Sequence, residues 1–529
     1  MAYYEADVLV IGGGLAGAWA AVGAAREGAR VILADKGYFG TSGVTAAAGP
    51  GHWWVPPAQR EEAIAKRAEA GEGLADPRWM ARIIDKTWDT LPTLADYYSF
   101  PQNDKGLTVY RSLRGPEYLR AMRKLAEDLG VQILDQSPAL ELLLHGDDSV
   151  AGARGVHRQR NESWAVRAGA VVLATGGCAF LSPLLGANNN TGDGYLMAAE
   201  AGAELSGMEF SAYYTVSPVY SSMTRSMSYA FARYFDASGR ELSVPMGPPA
   251  TAVLARAMLA GPVFCSLDRM PEHVRVRLPQ ISPNFLLPFV RKGIDPFTQR
   301  FEVKLRGEGT VRGVGGLRIA DDDCQTTVSG LYAAGDAATR ELIAGAISGG
   351  GNQNSAWALS SGLWSGRAAA RRARESGIRA DRSVEAIGAA GLRPAHGDEH
   401  IDTDEVIRSV QNEMLPYDKN IFRSAPVLQN SLQVLDQLWL EVRDSGRNDS
   451  DNNPSKTVRQ RETAALVATG RWCYSAALAR QETRGMHRRT DAPQRDEAFT
   501  HRILTGGLDK VWTRADASTP QQSPEEIAA

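Results

Sequence analysis

Cysteine is scarce: Cys178, Cys265, Cys324 and Cys473 lie far apart, and no two form a Cys-x-x-Cys pair. That spacing excludes a cysteine-ligated iron–sulfur cluster held by this chain alone and argues against a disulfide framework. Buried, inert thiols in a reducing, cytoplasmic compartment fit it, and no metal site is expected. A charge excess is missing too. With 58 basic and 61 acidic residues the net charge is −3, so no global field draws the chain to nucleic acid or to an anionic membrane. Long apolar runs are absent. Residues 342–364 are uncharged but rich in Gly, Ser, Asn and Gln. Residues 8–25 are uncharged as well, but they follow Glu5 and Asp7 rather than a basic segment, and they hold five glycines. No transmembrane segment and no internal repeat are expected.

What is present begins with those glycines. "ADVLVIGGGLAGAWAAVGAAREGARVILADKG" reads as a strand, a glycine turn, an alanine-rich helix and a second strand ending at Asp35. Gly12 makes the tight turn, Gly14 lets the backbone approach a pyrophosphate, and Gly17 lets helix and strand pack closely. The helix N-terminus, beginning with Leu15 and Ala16, then faces phosphate charge, and Asp35 lies where an acid bonds ribose hydroxyls. Two further strands run into glycine turns, "AVVLATGG" and "SGLYAAGDAA". Their Ala174-Thr175-Gly176 and Gly335-Asp336 are similar in placement to turns of two-dinucleotide-binding flavoproteins. No second Gly-x-Gly-x-x-Gly follows, so one FAD without a nicotinamide domain is expected.

Taken together, these motifs resemble the fumarate reductase/succinate dehydrogenase flavoprotein superfamily, which includes L-aspartate oxidase and the flavoprotein subunit of adenylylsulfate reductase. "LADKGYFGTSGVTAAAG" is similar to the loop that wraps the flavin, giving Lys36, Thr41, Ser42, Ala47 and Gly49 as cofactor contacts. "NTGDGYLMAAEAGAELSGMEF" adds Asp193, and "GGGNQNSAWALSSG" adds Asn354, Ser355 and Ala356. "ALARQETRGMHRRTDAPQRDEAF" resembles the signature of the C-terminal domain; its Arg484 and His487 read as structural, holding that domain in place, with a lesser reading as site-lining. The implied fold is α/β: a Rossmann-like FAD domain (1–214 and 311–375), an inserted α+β capping domain (215–310), a linker (376–400), a helical C-terminal domain (401–515) and a disordered tail (516–529).

The resemblance assigns proton transfer to Arg256, in "ATAVLARAMLAGPVF", against the plainer reading of a surface arginine on an ordinary helix. Tyr214 stands where the dicarboxylate enzymes carry a histidine and is the second candidate for handling protons. Three further family features are missing. Val311 replaces a second histidine, Ser348 or a neighbouring glycine replaces a carboxylate-clamping arginine, and the Thr-Glu-Gly-x-Arg-Gly-Glu-Gly-Gly segment is absent. Two buried substrate carboxylates would therefore lack partners, at a cost of roughly several kcal/mol, so succinate and fumarate are not expected substrates. Tyr213, Tyr214, Tyr220, Tyr229, Phe231, Tyr234 and Phe235 fill the region instead. They read either as an aromatic pocket wall or as the core of the capping domain, and Trp53 and Trp54 raise the same choice. Gly43 follows Ser42 where the respiratory enzymes carry a flavin-linking histidine, so FAD is expected to bind non-covalently; His52 reads by default as a loop residue, with a covalent link through it the lesser reading.

The expected function is an FAD-dependent oxidoreductase that passes hydride through the flavin to or from a small molecule other than a simple dicarboxylate. Its external electron partner would be a ferredoxin-like iron–sulfur protein, a quinone or cytochrome, or oxygen. Two alternatives stand beside it: the flavoprotein subunit of a two-protein complex with an iron–sulfur partner, and a non-catalytic FAD-stabilised assembly protein. An oligomer is compatible with either.

Overall fold

The computed structural model describes residues 1–224, 227–247, 249–378, 383–393, 401–444 and 453–517. Strand β1 (Ala2–Ile11) alternates in exposure at its start and is wholly buried from Val8 onward, as expected of a central strand covered on both faces. Helix α1 (Leu15–Arg26) follows, and β2 (Val31–Ala34) returns parallel to β1 with Val8 opposite Val31. Strands β3 (Gln132–Leu134), β4 (Ala139–His145), β5 (Val150–His157) and β6 (Glu162–Leu173) complete most of the sheet. β3 extends the β2 edge, and β6 lies on the other side of β1, both in parallel. One edge of the long β6 serves two partners: residues 162–167 pair antiparallel with β5, and residues 171–173 pair parallel with Leu331–Ala333.

Helix Gly350–Ser376 packs along α1. A Cβ at Gly362 would lie 2.4 Å from the Ala16 carbonyl, and one at Gly366 only 2.0 Å from that of Ala20. The glycines let the two backbones approach. Within the stretch read as a linker, Val384–Ala386 pairs antiparallel with residues 143–145 and forms the sheet's outer edge. Three residues are too few to show a strand period in sequence.

A second sheet, entirely antiparallel, runs Glu241–Leu242, Arg233–Phe235, Val263–Ser266, Phe301–Gly307, Tyr214–Pro218. Its core holds Tyr214 and Tyr234 with Phe285, Phe289 and Phe301, and Tyr220, Tyr229 and Phe231 pack against it. Phe235 is buried beneath the Arg300 guanidinium, 3.6 Å from the ring centroid. Tyr213 excepted, the tyrosines and phenylalanines singled out in sequence pack in or beside the core of this sheet rather than in a pocket wall. Trp54 stacks on Trp88 at 3.8 Å, and Trp53 is buried in the main core.

The C-terminal region contributes helices Thr403–Met414, Ala425–Asp444 and Pro454–Ala479. It is not helical to its end. Ile503–Gly506 and Trp512–Ala515 form a hairpin that pairs with Leu205–Ser206, which in turn pairs with Gly316–Leu317. Main-chain hydrogen bonds thus tie the C-terminal segment to the body. Asp516, counted with the disordered tail in sequence, is buried and accepts from Arg318 Nη2 at 3.2 Å; residues 518–529 of that tail lie outside the described residues. Among the described residues no helix is long and apolar enough to cross a membrane.

Candidate active site

A cavity of about 870 Å³ opens where β1, β2 and β6 end, the position at which open α/β sheets bind ligands. The residues read as cofactor contacts line it, except Gly17 and Ala356. Gly17 has the packing role expected of it, since a Cβ there would lie 1.7 Å from the Gly12 carbonyl. Gly12 adopts φ +108°, and a Cβ there would meet the Ala174 carbonyl at 2.4 Å, so the turn requires glycine. At Gly14 an added Cβ would meet nothing within 4 Å. The N-termini of α1 and of Gly350–Ser376 both carry residues that line the cavity, and neither has a side-chain cap. The Gly350 N–H donates to Ser348 Oγ at 3.3 Å; the remaining free N–H groups and the dipoles suit an anionic group.

Several polar atoms await partners. Asp35 is buried; its Oδ1 accepts from the Gly37 N–H at 3.2 Å, while Oδ2 has no partner. Burial pushes its carboxyl above the usual range. Thr175 Oγ1 and Asn354 Oδ1 are likewise buried without partners. Ribose hydroxyls and flavin polar atoms would satisfy such groups, so the residues present fit FAD. Lys36 differs. Its ammonium is held by Asp193 Oδ2 at 2.8 Å, Glu462 Oε1 at 2.7 Å and Thr191 Oγ1 at 2.8 Å. Burial alone would lower its pKa, and the two carboxylates raise it instead. Lys36 and Asp193 therefore pin the cavity wall to the C-terminal helix Pro454–Ala479. Asp336 is paired with Arg340, whose guanidinium also donates to the Thr310 carbonyl at 2.6 Å.

Toward the capping sheet the lining changes to Tyr213, Thr215, Thr224, Val311 and Arg312. Tyr214, the sequence-level candidate, does not line the cavity. It is buried in the capping core, where its hydroxyl donates to the Leu415 carbonyl at 3.0 Å and accepts from Asn420 Nδ2 at 3.1 Å. Burial drives that phenol well above its ordinary pKa. Its neighbours Tyr213 and Thr215 line the cavity instead. Arg256 is not in the lining either: it is exposed on helix Pro249–Ala260, with its guanidinium 5.2 Å from the Phe422 ring centroid.

The sequence reading missed Arg312. It follows Val311 directly, and a lone arginine in the glycine-rich "GTVRGVGG" was the available signal. Its Nη2 donates to Tyr213 Oη at 3.2 Å, and its Nε is buried without a partner. Thr215 Oγ1 donates to Glu308 Oε1 at 2.6 Å nearby.

No histidine or cysteine lines the cavity among the described residues. His52 lies outside the lining, buried against Tyr118, and burial lowers its pKa to about 3. His487 and Arg484 belong to a buried network and are not among the cavity-lining residues. Arg423 Nη1 lies 2.8 Å from His487 Nδ1, and Glu482 Oε1 accepts from Arg480 Nη1 at 2.9 Å and from Arg484 Nε at 2.6 Å.

Comparison with known proteins agrees with this architecture. Residues 7–259 match the FAD binding domain family, and residues 410–520 match the fumarate reductase flavoprotein C-terminal family. A fumarate reductase (CoM/CoB) subunit of Methanothermobacter marburgensis is 27% identical, aligned over 95% of this chain and 97% of its own. L-aspartate oxidase of Streptomyces coelicolor is 27% identical over 98% and 94% of the two chains. Among solved structures, E. coli quinol fumarate reductase superposes with a TM-score of 0.82 at 19% identity, covering 99% and 98%. Adenylylsulfate reductase of Archaeoglobus fulgidus gives 0.77 at 19%, covering 98% and 97%. With the glycine turn, the unpartnered acid and the uncapped helix ends in place, the chain belongs to the FAD-dependent oxidoreductases of the fumarate reductase/succinate dehydrogenase flavoprotein family.

Proposed function

We propose that this oxidoreductase acts on a small molecule that is not a simple dicarboxylate, with a non-covalently held FAD and an external electron partner. Bound FAD would supply two-electron chemistry at its ring. The chain's own residues hold it: Gly12 and Gly14 with the first turn of α1 at the pyrophosphate, Asp35 at the ribose, and the Thr41–Gly49 loop with Asn354 and Ser355 beyond.

The charge census of the cavity carries the substrate reading. Among the described residues its only lining cations are Lys36 and Arg312, and Lys36 is already neutralised by Asp193 and Glu462. A dicarboxylate would leave one buried charge without a partner, an arrangement costing several kcal/mol by order of magnitude. That no histidine or cysteine among the described residues lines the cavity supports non-covalent attachment, for which acid precipitation should release all the flavin. The separate capping sheet supports a division into a discontinuous FAD unit, a capping unit at 215–310 and a C-terminal unit from 401. The cysteine pattern supports a cytoplasmic setting.

A flavoprotein subunit working with an iron–sulfur partner is the second reading. Its support is that a full-length relative is itself named as one subunit of an enzyme. The test is anaerobic mixing of the flavin-loaded protein with succinate, or of the reduced protein with fumarate, read at the flavin's visible band. No change within minutes is expected, and rapid bleaching or rapid recovery of colour would overturn the reading.

A further inference from the structure

Resting on that reading, we propose that Arg312 and Tyr213 form the substrate-recognition site of this enzyme, and that its ligand is a monocarboxylate-type anion, one planar anionic group per molecule. The pair lies on the capping-sheet side of the cavity. Arg312 is held over Tyr213, 5.1 Å from guanidinium carbon to ring centroid, and its Nη2 donates to the phenol oxygen at 3.2 Å. That contact fixes the fork and leaves the buried Nε–H without an acceptor. A buried donor left unmade is costly, and a carboxylate is the acceptor whose geometry matches a guanidinium edge. Tyr213 lines the same cavity, and its hydroxyl, which accepts from Arg312, still has its own proton to donate.

Among the described residues, the surroundings offer a second anionic group no partner. Thr215 and Thr224, which line the same wall, turn their hydroxyls to Glu308 Oε1 at 2.6 and 3.5 Å. The Thr215 hydroxyl is therefore not a donor waiting for a second carboxylate, and the Glu308 side chain behind both threonines is itself acidic. Val311 offers only an apolar contact. One anionic end would meet Arg312 and Tyr213, and the remainder of the molecule would have to be uncharged.

The test titrates the flavin-loaded protein with three matched probes: propionate, its neutral amide propionamide, and succinate, which is propionate with a second carboxylate. Perturbation of the flavin absorption and titration calorimetry read binding directly, without turnover. Propionate is expected to bind at least about tenfold more tightly than either other probe. Arg312→Gln should weaken propionate about tenfold or more, Arg312→Lys should recover part of it, and flavin content should stay unchanged. Tyr213→Phe, which keeps the ring under the guanidinium, should weaken propionate severalfold and serves if the arginine variants do not fold. Propionate that fails to bind, binds equally to the Arg312→Gln protein, or binds no better than propionamide or succinate overturns the proposal. Reduction of the flavin by succinate would instead defeat the broader reading, so the two failures are distinguishable.

Discussion

Arg256 and Arg312 show how neighbouring groups decide what an arginine does. Arg256 is exposed, with Phe422 under its guanidinium, a contact worth about 0.5–1 kcal/mol at a surface. Arg256→Gln is therefore expected to leave flavin content unchanged and the melting temperature within about 2 °C. Flavin reduction by whichever substrate an anaerobic screen identifies should stay within about twofold of wild type. A flavin-loaded variant that no longer turns over would restore the proton-transfer role that the family resemblance implies. The tyrosine pair carries a related lesson. The resemblance pointed to Tyr214, yet Tyr213 and Thr215 line the cavity while Tyr214 enters the capping core. Side chains alternate along a strand, so an error of one residue moves a candidate to the opposite face. Matching positions in sequence left that parity open, whereas the glycine turn and the placement of Asp35 at the cavity were legible because local backbone geometry sets both.

At the scale of elements, the two helices that meet over the cavity use glycine for opposite reasons. Gly14 has open space where a Cβ would project, and its φ of −72° is ordinary. Gly362 has the Ala16 carbonyl 2.4 Å from that point. Gly14→Val should purify folded, with far-ultraviolet circular dichroism like wild type, but should retain little flavin. Gly362→Val should be destabilised by about 1–3 kcal/mol or more through overpacking, seen as a lower melting temperature or insolubility. A Gly14→Val protein with full flavin content would contradict the pyrophosphate role of that turn. The β-α-β unit was readable because its strand period, glycines and acid fall within about thirty residues. The edge strand Val384–Ala386 and the hairpin 503–515 were not. The edge strand depends on a partner far away in the chain, and the hairpin, beyond its local pairing, is seated on Leu205–Ser206, so local sequence carries little of either signal.

Across the whole molecule, one buried charge network joins the body to the C-terminal segment. Arg480 Nε donates to Glu209 Oε1 at 2.8 Å, and Arg423 Nη1 donates to the Glu209 carbonyl at 2.6 Å. Glu341 lies beside this network, fully buried, with Ser206 donating to its Oε2 and no partner on Oε1. Burial first, and then the charge of Glu209, push its carboxyl up to about 7, while Arg502, Arg480 and the Ser206 hydroxyl oppose the rise. An ordinary unfolded glutamate titrates near 4.3. Between these values the folded chain holds a proton that the unfolded chain has released. Stability from this group is therefore complete below the unfolded value and is lost as pH rises toward about 7. Glu341→Gln, neutral at every pH and still able to accept from Ser206, should remove that dependence. Melting temperatures of the flavin-loaded wild type and variant, measured from pH 5 to 8, should thus diverge. The variant should gain on wild type as pH rises to about 7, and the gap should level off above it. A gap that stays constant across the window would mean that Glu341 does not change its protonation on folding. The network would then join the two segments through fixed charges alone.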